Sequence, residues 1–255
     1  MKKFSFKKIG ILLAMMLVAG AALVGPVSAN QEILQGLNTI EHSIEINSSM
    51  PQMTQSEFRM YVQEMNEKYG SKNIEMLESI TGEPDRTSGI SYVGAWTDHL
   101  STGSASSDNA LLLYKFNEVD LSGKEHYYYW QWTSAQPNPW FDLTNFWNKV
   151  QLTNLNARLI TYSPGSTITG NEQTVNIGLS TGYSGTSFSI GGDFVLHQDV
   201  VRPKSGDCQV GYGGKYAVEW NGFYGNPQEV HGAMHIDIPA GQSLTSTWTN
   251  SLTAL

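Results

Sequence analysis

The chain has 255 residues, with 15 Lys and Arg against 23 Asp and Glu. Four of the bases, Lys2, Lys3, Lys7 and Lys8, fall in the first eight positions, so the remainder sets 11 basic residues against 23 acidic ones, a net charge of −12. A chain this acidic repels phosphate backbones and anionic lipid, which excludes nucleic acid as a partner class. Nothing in the sequence calls for a cofactor.

The lysines precede an apolar run of 17 residues, Ile9 to Gly25, and Val27-Ser28-Ala29 then offers the small residues that a signal peptidase reads. Residues 1–29 are expected to be a cleaved secretory signal peptide, with Asn30 as the new N-terminus and an extracellular destination. The run is short for a spanning helix, which needs about 20 residues.

Residues 30–85 read as a helical N-terminal segment. Thr54-Gln-Ser-Glu57 is a capping box, whose hydroxyl and carboxylate satisfy orphan amides at a helix start. Phe58, Tyr61, Val62, Met65 and Tyr69 follow on one helical face, and Gly70 is a natural stop. Helices are also expected over Lys72 to Thr81 and Glu32 to Ile44. The apolar stripe is expected to dock on the rest of the protein.

Residues 86–255 read as an antiparallel β-domain. Ile90 to Trp96 is a first strand, and Ser101 to Asn109 a loop by composition. Strand-like runs follow at Leu111 to Val119, His126 to Thr133, Asn154 to Tyr162, Gln173 to Tyr183, Thr186 to Leu196, Tyr216 to Phe223, Glu229 to Ile238 and Ser243 to Trp248. Ala135 to Trp140 carries Pro137 and Pro139, which argues against a central strand. Asp142 to Lys149 is expected to form a short helical turn. The fold class is mainly β: an antiparallel sandwich or partly closed barrel of about eight or nine strands behind a small helical segment.

Chemistry is sparse. His231 and His235 stand four apart, but on a strand that is about 13 Å, too far to share a metal. His235 and Asp237 are the remaining weak metal candidates, on a face expected to be wet. Cys208 is the single cysteine, so no intramolecular disulfide forms, and it reads as a small buried hydrophobe. Glu118, Asp120, Glu125, Asp193, Asp199 and Glu219 read as solvated acids. No nucleophile elbow or phosphate loop is present.

Two features remain. Tyr127, Tyr129, Trp130, Trp132 and Trp140 belong to an aromatic cluster in which alternation puts Tyr128, Trp130 and Trp132 on one face and Tyr127 and Tyr129 on the other. One set is expected in the core, and the other to cover a helix or contact a ligand such as a sugar. The second feature is a hairpin over 173–196. If Ser184-Gly185 forms a two-residue turn, Leu179 faces Ile190 and Val175 faces Phe194. Val175, Ile177, Leu179, Phe188, Ile190 and Phe194 then share one face, opposite Thr174, Asn176, Gly178, Ser180, Ser187, Ser189, Gly191 and Asp193. In composition the hairpin is similar to those of secreted pore-forming toxins, which implies insertion into a bilayer.

The sequence by itself favours a secreted or cell-surface, non-catalytic binding protein with a protein or carbohydrate partner. The alternatives are a membrane-active protein that uses the hairpin, and a carbohydrate-active protein, lectin-like or hydrolytic.

Overall fold

A computed structural model of the chain describes residues 33–34, 38–69, 90–170, 173–183, 186–196 and 200–255. The expected signal peptide, the helix expected over Lys72 to Thr81 and the Ser184-Gly185 turn lie outside them. The chain begins with β1 (Ile33–Leu34), β2 (Asn38–Asn47) and the helix α1 (Gln55–Tyr69). Then come β3 (Ile90–Ser101), β4 (Ala105–Phe116), β5 (Lys124–Pro137), β6 (Leu143–Leu152), β7 (Arg158–Ser163) and β8 (Ile168–Thr169). A hairpin of β9 (Gln173–Tyr183) and β10 (Thr186–Leu196) follows. The chain closes with β11 (Val200–Pro203), β12 (Gly211–Tyr212), β13 (Lys215–Tyr224), β14 (Gln228–Pro239) and β15 (Thr245–Ala254).

Two antiparallel sheets face each other. One has seven strands in the order β1-β2-β15-β6-β13-β11-β8, the other six in the order β12-β7-β14-β5-β4-β3. The expected sandwich is therefore present, built from more strands than the sequence reading distinguished. Between the sheets, alternate residues interlock: Leu111, Leu113 and Tyr129 on one side meet Phe146, Val150, Trp220 and Trp248 on the other. The outer face of the six-stranded sheet is apolar too. Leu112, Tyr114, Phe116, Tyr128, Trp130 and Trp132 are buried with Phe58, Val62 and Met65 of α1. This accounts for the unbroken apolar run Ala110 to Tyr114, which is covered on both faces.

The helix starts as expected. Thr54 donates its backbone N–H to Glu57 Oε2 at 2.7 Å, and the Glu57 amide lies 3.4 Å from Thr54 Oγ1.

Four expectations fail. The helix expected over Glu32 to Ile44 is absent from residues 38–44: Asn38–Asn47 is β2, laid along β15 with Ile40 opposite Leu252 and Ile44 opposite Trp248. Ile40 and Ile44 are four apart, a spacing that fits one face of a helix and one face of a strand equally, and the exposed edge of β15 decides for the strand. Asp142 to Lys149 is no helical turn; β6 runs through it between β15 and β13, with Phe146, Val150 and Leu152 facing inward. Leu143, Phe146 and Trp147 only mimic helical spacing, because the ladder shifts register between Thr253 and Ala254 opposite this end. The expected loop over Ser101 to Asn109 shrinks to residues 102–104. Its polar residues are strand residues that hydrogen bond inside the protein, as where Asn109 accepts from Thr133 at 2.8 Å. Finally, β5 is central and continues to Pro137, where the last pair with Ala105 sits at the strand end.

The free edge of β3 is covered. Met53 bridges Ala95, with the Met53 amide donating to Ala95 O at 3.0 Å. A Cβ on Gly94 would lie 2.2 Å from Pro51 Cβ, so only glycine lets this segment approach.

Candidate functional site

β9 and β10 form a two-stranded sheet of their own, bonded to neither large sheet. Each strand has 11 residues, paired from Tyr183↔Thr186 at the tip to Gln173↔Leu196 at the base. Leu179 is opposite Ile190 and Val175 opposite Phe194, the register that a two-residue turn requires. In this register Val175, Ile177, Leu179, Phe188, Ile190 and Phe194 occupy positions of one parity along the ladder.

Both hairpin strands approach β14, and β9 also approaches β7. β14 is bonded to β5 along its length and to β7 from Ala233 to Asp237, and it meets β13 across the sandwich, which leaves its outer face turned away from the core between the sheets. That face carries His231, Ala233, His235 and Asp237. The sequence led us to expect it wet; instead all four are buried. His231, His235 and Asp237 each find a protein partner, in Glu229, His126 and Arg158.

Three contacts organise this floor. His126 Nδ1 and His235 Nε2 are 2.9 Å apart, and His126 Nε2 lies 3.1 Å from Asp120 Oδ2. His235 also stacks on Tyr128, with ring centroids 4.5 Å apart. Burial, reinforced by the neighbouring His126, pushes the His235 imidazole down to about 4. Asp120 accepts hydrogen bonds from the amides of Lys124 and Ser122 and from the Ser122 hydroxyl, which hold its carboxyl well below the usual carboxylate range. Farther along, Asp237 pairs with Arg158 and with Lys124 at 3.1 Å. His231 Nε2 lies 2.6 Å from Glu229 Oε1, which also accepts from the Trp132 indole. His235 and Asp237, the weak metal candidates, are thus engaged with protein partners. Among the described residues no three metal-ligating side chains converge.

The aromatic candidates separate. Tyr127 and Tyr129 are buried between the sheets, and Trp130 and Trp132 on the outer face among the residues packed with α1. Only Trp140 presents its ring to solvent: it is 100% exposed, on a backbone with φ 77°. Of the acids expected to be solvated, Glu125 and Glu219 are buried and paired, with Lys115 at 2.9 Å and Arg202 at 2.9 Å. Cys208 is half-buried, and burial raises its thiol above the ordinary value while the thiol donates to carbonyls of Lys204 and Ala217.

No family model matches the chain, and no curated protein does. Among solved structures, the chain is similar to one described as a pore forming protein, with 10% identity over 62% of this chain and 79% of that one, at a TM-score of 0.37. It is also similar to the NetB toxin of Clostridium perfringens in its membrane-inserted form, with 8% identity over 62% of this chain and 84% of that one, at a TM-score of 0.30.

Sequence reasoning missed the pairing of His126 with His235, which are 109 positions apart. The one local signal was that Tyr128 and His126 share a strand face, and that β14 offers His235 on a face of the same parity.

Proposed function

We propose that this is an exported β-sandwich protein that acts on membranes by releasing its 173–196 hairpin from the sandwich and inserting it. The observation that supports this is the hairpin itself: a separate two-stranded sheet with 11 residues per strand and its apolar residues in one parity. A strand needs about 9–11 residues to cross a bilayer. Inserted, the face with Val175, Ile177, Leu179, Phe188, Ile190 and Phe194 meets lipid, and the face with Thr174, Asn176, Ser180 and Ser189 lines water. One hairpin cannot do this alone. Its two outer edges would leave backbone groups unpaired in hydrocarbon, so several copies must close a barrel.

Attachment precedes insertion. A net charge of −12 disfavours anionic lipid, and the exposed Trp140 supplies an amphipathic ring suited to a neutral interface. The same residue favours a second reading, a binding protein that engages a protein or carbohydrate through Trp140 without inserting.

Dye release from vesicles of neutral lipid decides between them. The wild-type protein should release dye. Leu179→Asp with Ile190→Asp should abolish release, whereas Ser180→Asp with Ser189→Asp should not. A wild-type protein that releases nothing from any vesicle, or an apolar-face variant as active as wild type, would end the insertion reading.

A further inference from the structure

We propose that the outer face of the seven-stranded sheet is where two copies of this protein pair, face to face about a two-fold axis along β6. The contacts of α1 and of the hairpin are with the six-stranded sheet. On the seven-stranded sheet, Ile40, Ile44, Phe146, Val150, Val218, Trp220 and Trp248 belong to the core. Alternation therefore turns Glu41 and Glu45 of β2, Trp147, Lys149 and Gln151 of β6, and Lys215 and Glu219 of β13 outward. Direct contacts agree. The Thr247 hydroxyl on β15 donates to Glu45 Oε1 at 3.0 Å, and Lys204 Nζ lies 4.8 Å from the centre of the Trp147 ring.

Charge on this face is sorted by strand. Of the 11 bases beyond residue 29, Lys149, Arg202, Lys204 and Lys215 stand here, at β6, β13 and β11. Two acids stand among them: Glu219 pairs with Arg202, and Asp207 lies among the three lysines. This patch is thus net positive in a chain whose remainder is strongly negative. On the opposite side of the same face, β2 presents Glu41 and Glu45 and has no Lys or Arg.

The strand order β2-β15-β6-β13-β11 places β6 in the middle. A two-fold axis along β6 lays β2 of each copy over β11 of the other and keeps residues in their rows. One row reads Glu41, Ser251, Trp147, Glu219, Arg202, so Glu41 arrives at Arg202 of the other copy. The row of Glu45 runs through Thr247 and Gln151 to Lys215. Glu45 therefore arrives at the strand ends where Lys204 and Lys215 flank Asp207. Each contact is made twice. On the axis Lys149 meets its own copy, but it is turned toward Asp207 and the Trp147 ring. A pattern that complements itself under a two-fold axis closes at two copies. A polyanion would match the basic side alone and would be repelled by β2.

Five strands about 4.8 Å apart and ten residues rising about 3.4 Å each give the face roughly 600 Å² per copy, so full overlap covers roughly 1,200 Å², the low end for a specific pair. The face is polar, so charge sets its strength, and the dimer is weak, reversible and sensitive to salt.

Sedimentation of the purified protein without lipid tests the pairing independently of insertion. At about 0.05 M salt association should stop at two copies, and about 0.5 M salt should weaken it ~10-fold or more. Glu41→Lys with Glu45→Lys should be monomeric, and so should Arg202→Glu with Lys204→Glu. An equimolar mixture of these two variants should form mixed dimers within about three-fold of wild-type strength, because each altered side then meets its opposite. If the base-side variant does not fold, the β2 variant decides alone: a dimer as tight as wild type overturns the proposal. So does a wild-type protein that is monomeric at about 100 μM, where even a weak pair is populated. Growth past two copies, or a mixture that stays monomeric, overturns it as well.

Discussion

The indole N–H of Trp248 donates to the side-chain oxygen of Asn148 at 2.7 Å, deep between the two sheets. The Asn148 amide in turn lies 3.4 Å from the Thr133 hydroxyl, which donates to Asn109 at 2.8 Å. A polar chain thus crosses an otherwise apolar interface, from β15 and β6 to β5 and β4. Replacing Asn148 by Leu keeps the volume and strands the Trp248 N–H. The expected cost is about 1–3 kcal/mol, the penalty for one buried unpaired donor. For a chain of this size that is a fall in melting temperature of roughly 2–4 °C per kcal/mol, read by thermal denaturation.

Met65 is buried with Trp130 and its neighbours. Met65→Asp puts an unpaired charge there, and the expected loss is above about 3 kcal/mol. An unchanged melting temperature would show that α1 is not packed on the sheet in solution.

Asp207 sits among three lysines, with Lys204 at 2.6 Å, Lys215 at 3.4 Å and Lys149 at 3.5 Å. Burial pushes its carboxyl up, but the lysines outweigh burial and hold it below the ordinary value. The stabilisation this supplies is present above the ordinary carboxylate pKa and is lost as pH falls through the lowered one. Solvent screening keeps it small, about 0.5–1 kcal/mol. Asp207→Asn should lose that amount at neutral pH, lose nothing further in acid, and respond less than wild type to added salt. Denaturation curves at two pH values and two salt concentrations check all three.

Trp140→Gly should leave the fold intact, although it deletes the largest side chain. The ring touches solvent, and φ 77° strains any residue with a Cβ. Relief of that strain and the added chain entropy of glycine are each about 1 kcal/mol and nearly cancel. The melting temperature should move by less than about 3 °C. Attachment to neutral vesicles should weaken several-fold; unchanged attachment removes Trp140 from the contact surface.

What could be read from the sequence was local. Thr54 and Glu57 are three apart and declare a helix start by themselves. The hairpin register follows from parity and a two-residue turn, both contained in one short stretch. What failed needed a distant partner. Ile40 and Ile44 fit a helix until β15 is known to lie beside them. The burial of Trp130 and Trp132 was half-visible: an amphipathic helix with Phe58, Val62 and Met65 wanted a surface, and a strand with two apolar faces wanted a cover. Joining these two halves requires the fold. The His126–His235 contact was illegible, because it exists only through the alignment of β5 with β14.

The short bridge between Met53 and Ala95 has a consequence for handling the protein. The bridge interrupts the edge of β3 at Ala95, so a neighbouring molecule cannot add a continuous strand across that point. Among the described residues, the two outer edges of the hairpin carry no such bridge. Side-to-side growth between copies is thus steered away from β3 and toward β9 and β10. A preparation that forms fibres or ladders on storage should therefore be rescued by proline placed in the hairpin, and not by changes along β3.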